Sequence, residues 1–350
     1  MEFVAIFSYL AVAFLVVMFS IKLSNYVDLL DKKTNISGAF LGGILLAAVT
    51  SLPELFTSLT ATAFIKDNHL VLGNILGSDL FNLTLFAIIY IFFFGKLLKA
   101  KVGKNHLISI LFVGILYVLV TIGSFVFDYR NILWGWFNPV SIAVVAVYAL
   151  SVIKTPATDE AQESETDSAL TVKQIVARFV LFALGLVGAS IGMTYLVDWI
   201  VNLFKIGPTF GGALFLGVAT SLPEMTATIT LSKKKNFNAA FGNILGSCVF
   251  NFIILALGDI LSWNCKDAGG SYLGIYKIDQ SAFLLLICGA LALLIAFITV
   301  FIKVKGKIKD TKKYKVLYIT SGAIIAGLYI TFLILSNINL GLSFAPYMIA

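Results

Sequence analysis

Ten apolar stretches, most of them longer than 18 residues, restrict this chain more than any other feature. They fall near residues 3–21, 37–65, 70–94, 107–127, 134–153, 174–202, 208–232, 237–262, 281–302 and 317–336. A helix needs about 20 apolar residues to cross roughly 30 Å of hydrocarbon. Only 12% of the chain is charged and its mean hydropathy is +0.98, about half the charged share of a soluble domain. The expected fold class is an all-α polytopic membrane protein with ten transmembrane helices. The first stretch has only Glu2 before it, no basic n-region, and no small-residue cleavage site standing out after it, so it reads as a retained span and not as a cleaved leader. The second, third, seventh and eighth spans are rich in Gly, Ser and Thr and each carries a break signal, whereas the others are plainer Leu/Ile/Val/Phe helices.

The basic residues orient these spans. Twenty of the 25 lysines and arginines lie in loops after odd-numbered spans, among them Lys96, Lys99, Lys101, Lys104, Lys233, Lys234 and Lys235. The other side has Lys66, Arg130, Lys205, Lys266 and Lys277. Positive charge is retained in the cytoplasm, so both termini are expected outside a cell membrane that the chain crosses many times. The net charge of +7 is then a topology signal. The lysines flank spans and carry no groove-reading motif, so no nucleic-acid partner is expected.

Residues 155–172 interrupt the apolar pattern with Asp159, Glu160, Glu163, Glu165 and Asp167. A short, acidic, polar segment of this kind reads as a cytoplasmic linker. It divides the chain into a first half, 1–154, and a second half, 173–350, of five spans each.

The halves repeat one another. Thr50-Ser51-Leu52-Pro53-Glu54 recurs as Thr220-Ser221-Leu222-Pro223-Glu224, and Gly73-Asn74-Ile75-Leu76-Gly77-Ser78 recurs as Gly242-Asn243-Ile244-Leu245-Gly246-Ser247. Phe81-Asn82 then matches Phe250-Asn251. The gap from glutamate to glycine is 19 residues in one copy and 18 in the other, so both copies are read as the same hairpin. The first copy covers about 37–94 and the second about 207–262. The first hairpin turns outside and the second in the cytoplasm, which makes the two five-helix halves inverted repeats. Transporters built this way hold their substrate near mid-membrane, where the repeats meet.

Glu54 and Glu224 fall within apolar spans. A carboxylate there costs about 2.5–3.5 kcal/mol on the milder insertion scales, so it needs a proton, a partner or a cation. Neither motif contains a basic residue. A permanently protonated structural pair is the bland alternative, and the matched hydroxyls and amides argue against it. Pro53 and Pro223 lack the N–H that a continuous helix needs, which predicts breaks near 47–49 and 217–219 that free carbonyl oxygens to coordinate an ion. Thr50, Ser51, Thr220 and Ser221 add hydroxyls. Ser78 and Asn82, like Ser247 and Asn251, are four apart and share a helix face. An all-oxygen donor set of this kind suits Ca²⁺ and Na⁺, and the lack of motif histidine disfavours transition metals.

Both motif copies, with their spacing and inversion, resemble the alpha-repeats of the cation/Ca²⁺ exchanger superfamily, and within it the prokaryotic Na⁺/Ca²⁺ exchangers. The resemblance implies an antiporter exchanging several Na⁺ for one Ca²⁺ by alternating access, with net charge moved and spans one and six as the sliding gate. It implies the ion site at Glu54, Glu224, Asn82, Asn251, Thr50, Ser51, Thr220, Ser221, Ser78 and Ser247, with backbone oxygens of Ala47 and Gly217. No cofactor and no enzymatic activity are expected, and the chain is expected to act as a monomer in the bilayer. Ca²⁺/H⁺ exchange at the same glutamate pair is the alternative. Two positions depart from the family pattern. Asn251 replaces an aspartate found in some members, the K⁺-dependent branch included, which argues against K⁺ co-transport. Asp79 stands where Asn is common, and its side chain is expected about 100° away from Ser78 on a regular helix. It is read as a peripheral ligand or as an interhelical contact.

Overall fold

The computed structural model describes residues 1–33, 49–125, 138–154, 170–262, 274–306, 310–336 and 338. Every regular element among them is helical, as hydrocarbon demands: lipid cannot satisfy a backbone N–H or C=O, so a spanning segment must bond its own. In chain order the helices are α1 (Glu2–Lys33), α2 (Leu52–Ile65), α3 (Asn68–Phe92), the short α4 (Phe94–Lys99), α5 (Asn105–Phe125) and α6 (Pro139–Lys154). The second half continues with α7 (Val172–Phe204), α8 (Pro208–Thr220), α9 (Leu222–Lys233), α10 (Phe237–Leu261), α11 (Gln280–Lys305) and α12 (Thr311–Leu335).

Seven of these, α1, α3, α5, α7, α10, α11 and α12, are long and apolar enough to cross a membrane. The pair α8 and α9 qualifies together, bent by 45°. Apolar α2 and α6 are shorter, and the residues completing the expected second and fifth spans, 34–48 and 126–137, lie outside the described residues. The first span is longer than the expected 3–21, since α1 runs on to Lys33. The linker expected at 155–172 lies almost wholly outside the described residues, and Thr171 already caps α7 in a capping box with Gln174.

Helices α3 and α10 form the centre. Leu72, Leu76, Leu80 and Phe86 of α3 and Phe241, Ile244 and Phe252 of α10 are completely buried, and Phe86 meets Phe241 edge-on. Around them α1, α5 and α7 expose Phe3, Phe7, Phe14, Leu111, Val118, Leu181 and Leu184. Water would penalise such a belt, but lipid accepts it, because its tails are as apolar as these side chains. Helix α1 packs along α7, with Phe19 against Gly185. This pair reaches the centre through the Tyr9 hydroxyl, which donates to the Phe215 carbonyl at 2.9 Å, and the Thr194 hydroxyl, 3.4 Å from the Thr57 carbonyl.

Glycine allows the closest crossing. A Cβ on Gly73 would collide with the Thr209 carbonyl, and one on Gly77 would lie 2.5 Å from the Ala213 Cα. Facing them, a Cβ on Gly217 would come within 2.8 Å of the Ser78 nitrogen. Small residues at such spacing let two membrane helices touch backbone to backbone, and here they bring α3 onto α8.

The two repeats also turn alike. Lys66 and Lys235 both adopt left-handed backbone conformations, with φ of 64° and 66°. The residue after each caps the next helix: Asp67 accepts from the His69 and Leu70 amides, and Asn236 from the Ala239 amide. The likeness of the halves therefore extends through hairpin turns whose sequences differ.

Candidate ion-binding site

The two glutamates follow matched breaks. Ser51 and Ser221 leave helical geometry with φ/ψ of −92°/10° and −89°/2°, and Pro53 and Pro223 sit in the first turn of the helix that resumes. The break in the second repeat thus lies at Ser221, not at Gly217–Ala219 as Pro223 alone suggests. Residues Gly212–Gly217 form a wide π-helical turn before it. In the first repeat Val49 and Thr50 are helical and the turn is at Ser51. A carboxylate in the first turn of a helix also meets the positive end of its dipole.

Glu54 and Glu224 are both 0% exposed, and each is bonded by the other repeat. The Ser221 hydroxyl donates to Glu54 Oε1 at 3.2 Å. The Ser51 hydroxyl donates to Glu224 Oε1 at 3.3 Å, and Ser247 donates to the same oxygen at 3.1 Å. Ser51 and Ser247 are themselves 2.9 Å apart. The second oxygen of each glutamate has no hydrogen-bond partner among the described residues. Two buried carboxylate oxygens without donors are what a cation-binding centre provides, since a bound cation needs acceptors and brings no donors of its own.

Neutral oxygens surround the pair. The Ser78 hydroxyl donates to the Gly217 carbonyl at 3.2 Å and lies 3.5 Å from the Thr220 hydroxyl, itself bonded to the Leu216 carbonyl. The Gly217 carbonyl also accepts the Ser221 amide at 3.3 Å. Thr50, Thr220, Ser78, Ser247, Asn82 and Asn251 are all buried. Both polar atoms of the Asn82 side chain lack partners among the described residues, as does the carbonyl oxygen of Asn251. Hard cations such as Ca²⁺ and Na⁺ take this type of oxygen set.

The sodium/calcium exchanger protein family model matches residues 4–154 and 177–337. The chain belongs to that family. Its activity class is therefore cation/Ca²⁺ antiport by a multi-pass membrane transporter, within the cation/Ca²⁺ exchanger superfamily. Among relatives, the inner membrane protein YrbG of Escherichia coli (strain K12) is 26% identical over 259 residues, covering 70% of this chain and 76% of that one. A membrane protein of Methanocaldococcus jannaschii is 24% identical over 217 residues, 61% of this chain and 67% of its own. The fold is similar to the solved H⁺/Ca²⁺ exchanger CAX, with a TM-score of 0.67 at 14% identity, covering 95% of this chain and 90% of that one. It is also similar to the sodium-calcium exchanger NCX_Mj, with a TM-score of 0.58 at 18% identity, covering 95% and 98%.

Within this exchanger fold the expected residues are brought together unevenly. Ser51, Ser247 and Glu224 form one hydrogen-bonded group, Ser221 and Glu54 a separate pair, and Ser78, Thr220 and the Gly217 carbonyl a further group. The Asn82 side chain is buried without a hydrogen bond among the described residues, and Asn251 is bonded to Asp79. Ala47 lies outside the described residues. Two roles escaped sequence reasoning. Asn74 places its amide nitrogen 3.3 Å from the Glu54 carbonyl and 2.9 Å from the Thr57 and Ser58 hydroxyls. Asn243 does the same for the Glu224 carbonyl at 3.2 Å and the Thr228 hydroxyl at 3.0 Å. These asparagines pin the turns that carry the glutamates. Their identity in both repeats was the available signal.

Proposed function

We propose that this protein exchanges Na⁺ for Ca²⁺ across the cell membrane by alternating access, as a monomer and with net movement of charge. The reading rests on one observation above all: each buried glutamate is held by a serine of the opposite repeat, and one oxygen of each has no partner among the described residues. Two carboxylates offset the charge of one Ca²⁺, and the serines, threonines, Asn82, Asn251 and the Gly217 carbonyl supply neutral oxygens that also suit Na⁺. Ala47 completes the set by repeat symmetry with Gly217.

The proposed architecture is ten helices in two inverted five-helix repeats, with both termini outside and 155–172 in the cytoplasm. An empty site leaves two uncompensated carboxylates in a dry interior, which opposes the gating movement; loading with Ca²⁺ or with Na⁺ removes that cost. The α1/α7 pair is the proposed gate. Its two helices pack along each other and α7 also packs on α2, with Tyr9 and Thr194 adding hydrogen bonds to the Phe215 and Thr57 carbonyls.

Purified protein in liposomes tests the coupling ion. Ca²⁺ uptake should follow an outward Na⁺ gradient, respond to membrane potential and ignore K⁺. Uptake driven by a pH gradient with no Na⁺ present overturns Na⁺ coupling in favour of Ca²⁺/H⁺ exchange.

A further inference from the structure

Asp79 is a fully buried acid that the motif matching leaves without a role. It follows Ser78 on α3, where the second repeat has Cys248 on α10, and regular helix geometry turns it about 100° from Ser78 and about 60° from Asn82. The packing of α3 against α10 supplies its partner from the other repeat. Asp79 Oδ1 accepts from the Asn251 side-chain nitrogen at 2.8 Å, across 172 residues of sequence.

A carboxamide has one donor end and one acceptor end, whereas a carboxylate only accepts. With its NH₂ group committed to Asp79, Asn251 has its carbonyl oxygen as the remaining end. That oxygen is buried and has no partner among the described residues. Asn82, the matching residue of the first repeat, has neither end bonded among them. Among the described residues no three His, Cys, Asp or Glu side chains form a group that could hold a metal ion, and Asp79 Oδ2 has no hydrogen-bond partner there. Its reach to the site runs through Asn251.

We infer that Asp79 is a positioning residue of the ion site, holding the Asn251 carboxamide with its carbonyl oxygen available to the transported cation. This rests on the Glu54/Glu224 reading above. Partners of this kind, one step behind the ligands, typically change metal affinity by about 10–100-fold when removed. Asparagine at 79 keeps the size but can bond Asn251 in either direction, so the lock is lost. Exchanging the two residues restores an acid–amide pair.

The test is Ca²⁺ titration calorimetry on the full-length protein in detergent, with ion-free melting temperatures measured alongside. Asp79→Asn should weaken Ca²⁺ binding about 10–100-fold while leaving ion-free melting unchanged. The double variant Asp79→Asn with Asn251→Asp should recover most of the affinity. Wild-type Ca²⁺ affinity in Asp79→Asn, or a double variant no better than the single one, overturns the inference. So does an affinity loss matched by an equal loss of ion-free stability, which marks a structural tie. Glu54→Gln separates the two readings. If it binds Ca²⁺ like the wild type, the glutamate site fails and this inference falls with it; if it does not bind while Asp79→Asn does so normally, only the role of Asp79 fails.

Discussion

The two repeats agree at the paired glutamates and differ around Ser78 and Ser247. Ser51 reaches Glu224 and Ser221 reaches Glu54, at 3.3 and 3.2 Å. Asn74 and Asn243 hold the glutamate turns in parallel ways, and left-handed Lys66 and Lys235 begin matching hairpin exits. Against this, Asp79 faces no acidic counterpart, because the second repeat has Cys248 there. Asn251 is held, while the Asn82 side chain has no partner among the described residues. Ser247 bonds a glutamate, whereas Ser78 bonds a backbone carbonyl. The shared parts suit a site that must look alike from both sides of the membrane. The unshared ones break the two-fold equivalence next to the proposed cation site.

The largest effects should come from the parts that agree. Glu54→Gln and Glu224→Gln should each abolish Ca²⁺ exchange in liposomes, because either leaves a single carboxylate to meet a divalent ion. Full flux in one of them means the halves are not equivalent and the shared site is wrong.

The serines should separate the halves next. Ser221→Ala removes one bond to Glu54, while Ser51→Ala removes contacts to both Glu224 and Ser247. A hydrogen bond to a charged group contributes about 1.5–3 kcal/mol, so each should raise half-saturating Ca²⁺ by about tenfold or more, with Ser51→Ala the larger. Equal effects would show that the Ser51–Ser247 contact contributes nothing.

Smaller still are the turn-holding asparagines, read in thermal stability. Asn74 has three oxygens within reach and Asn243 has two. A neutral hydrogen bond contributes about 1 kcal/mol, so Asn74→Ala should lower the melting temperature more than Asn243→Ala. The smallest difference is expected at the hairpin caps. Asp67→Ala and Asn236→Ala each lose one cap, about 1 kcal/mol, and should melt alike. A large gap between them would mean the two turns are not structural equivalents.

Much of the arrangement was legible in the chain. Apolar run length announced a helical membrane protein, since hydrocarbon thickness sets how many apolar residues a span needs. Two copies of Thr-Ser-Leu-Pro-Glu marked both glutamates and their broken helices. The position of the break was less legible: Pro223 removes a donor, but the departure from helix comes at Ser221, after a π-helical turn at Gly212–Gly217. Likewise, the glycines announced close packing without naming the α8 backbone as their neighbour.

The sequence by itself determined which residues carry charge in the membrane and which neutral oxygens travel with them, because those follow from residue type and helical spacing. Only the tertiary structure decided who bonds whom. Ser51 serves Glu224 and not Glu54, and Asp79 finds Asn251, through contacts spanning 173 and 172 residues. Spacing along one helix cannot foresee these partners, since they depend on how α3, α8 and α10 pack at their glycine and serine faces.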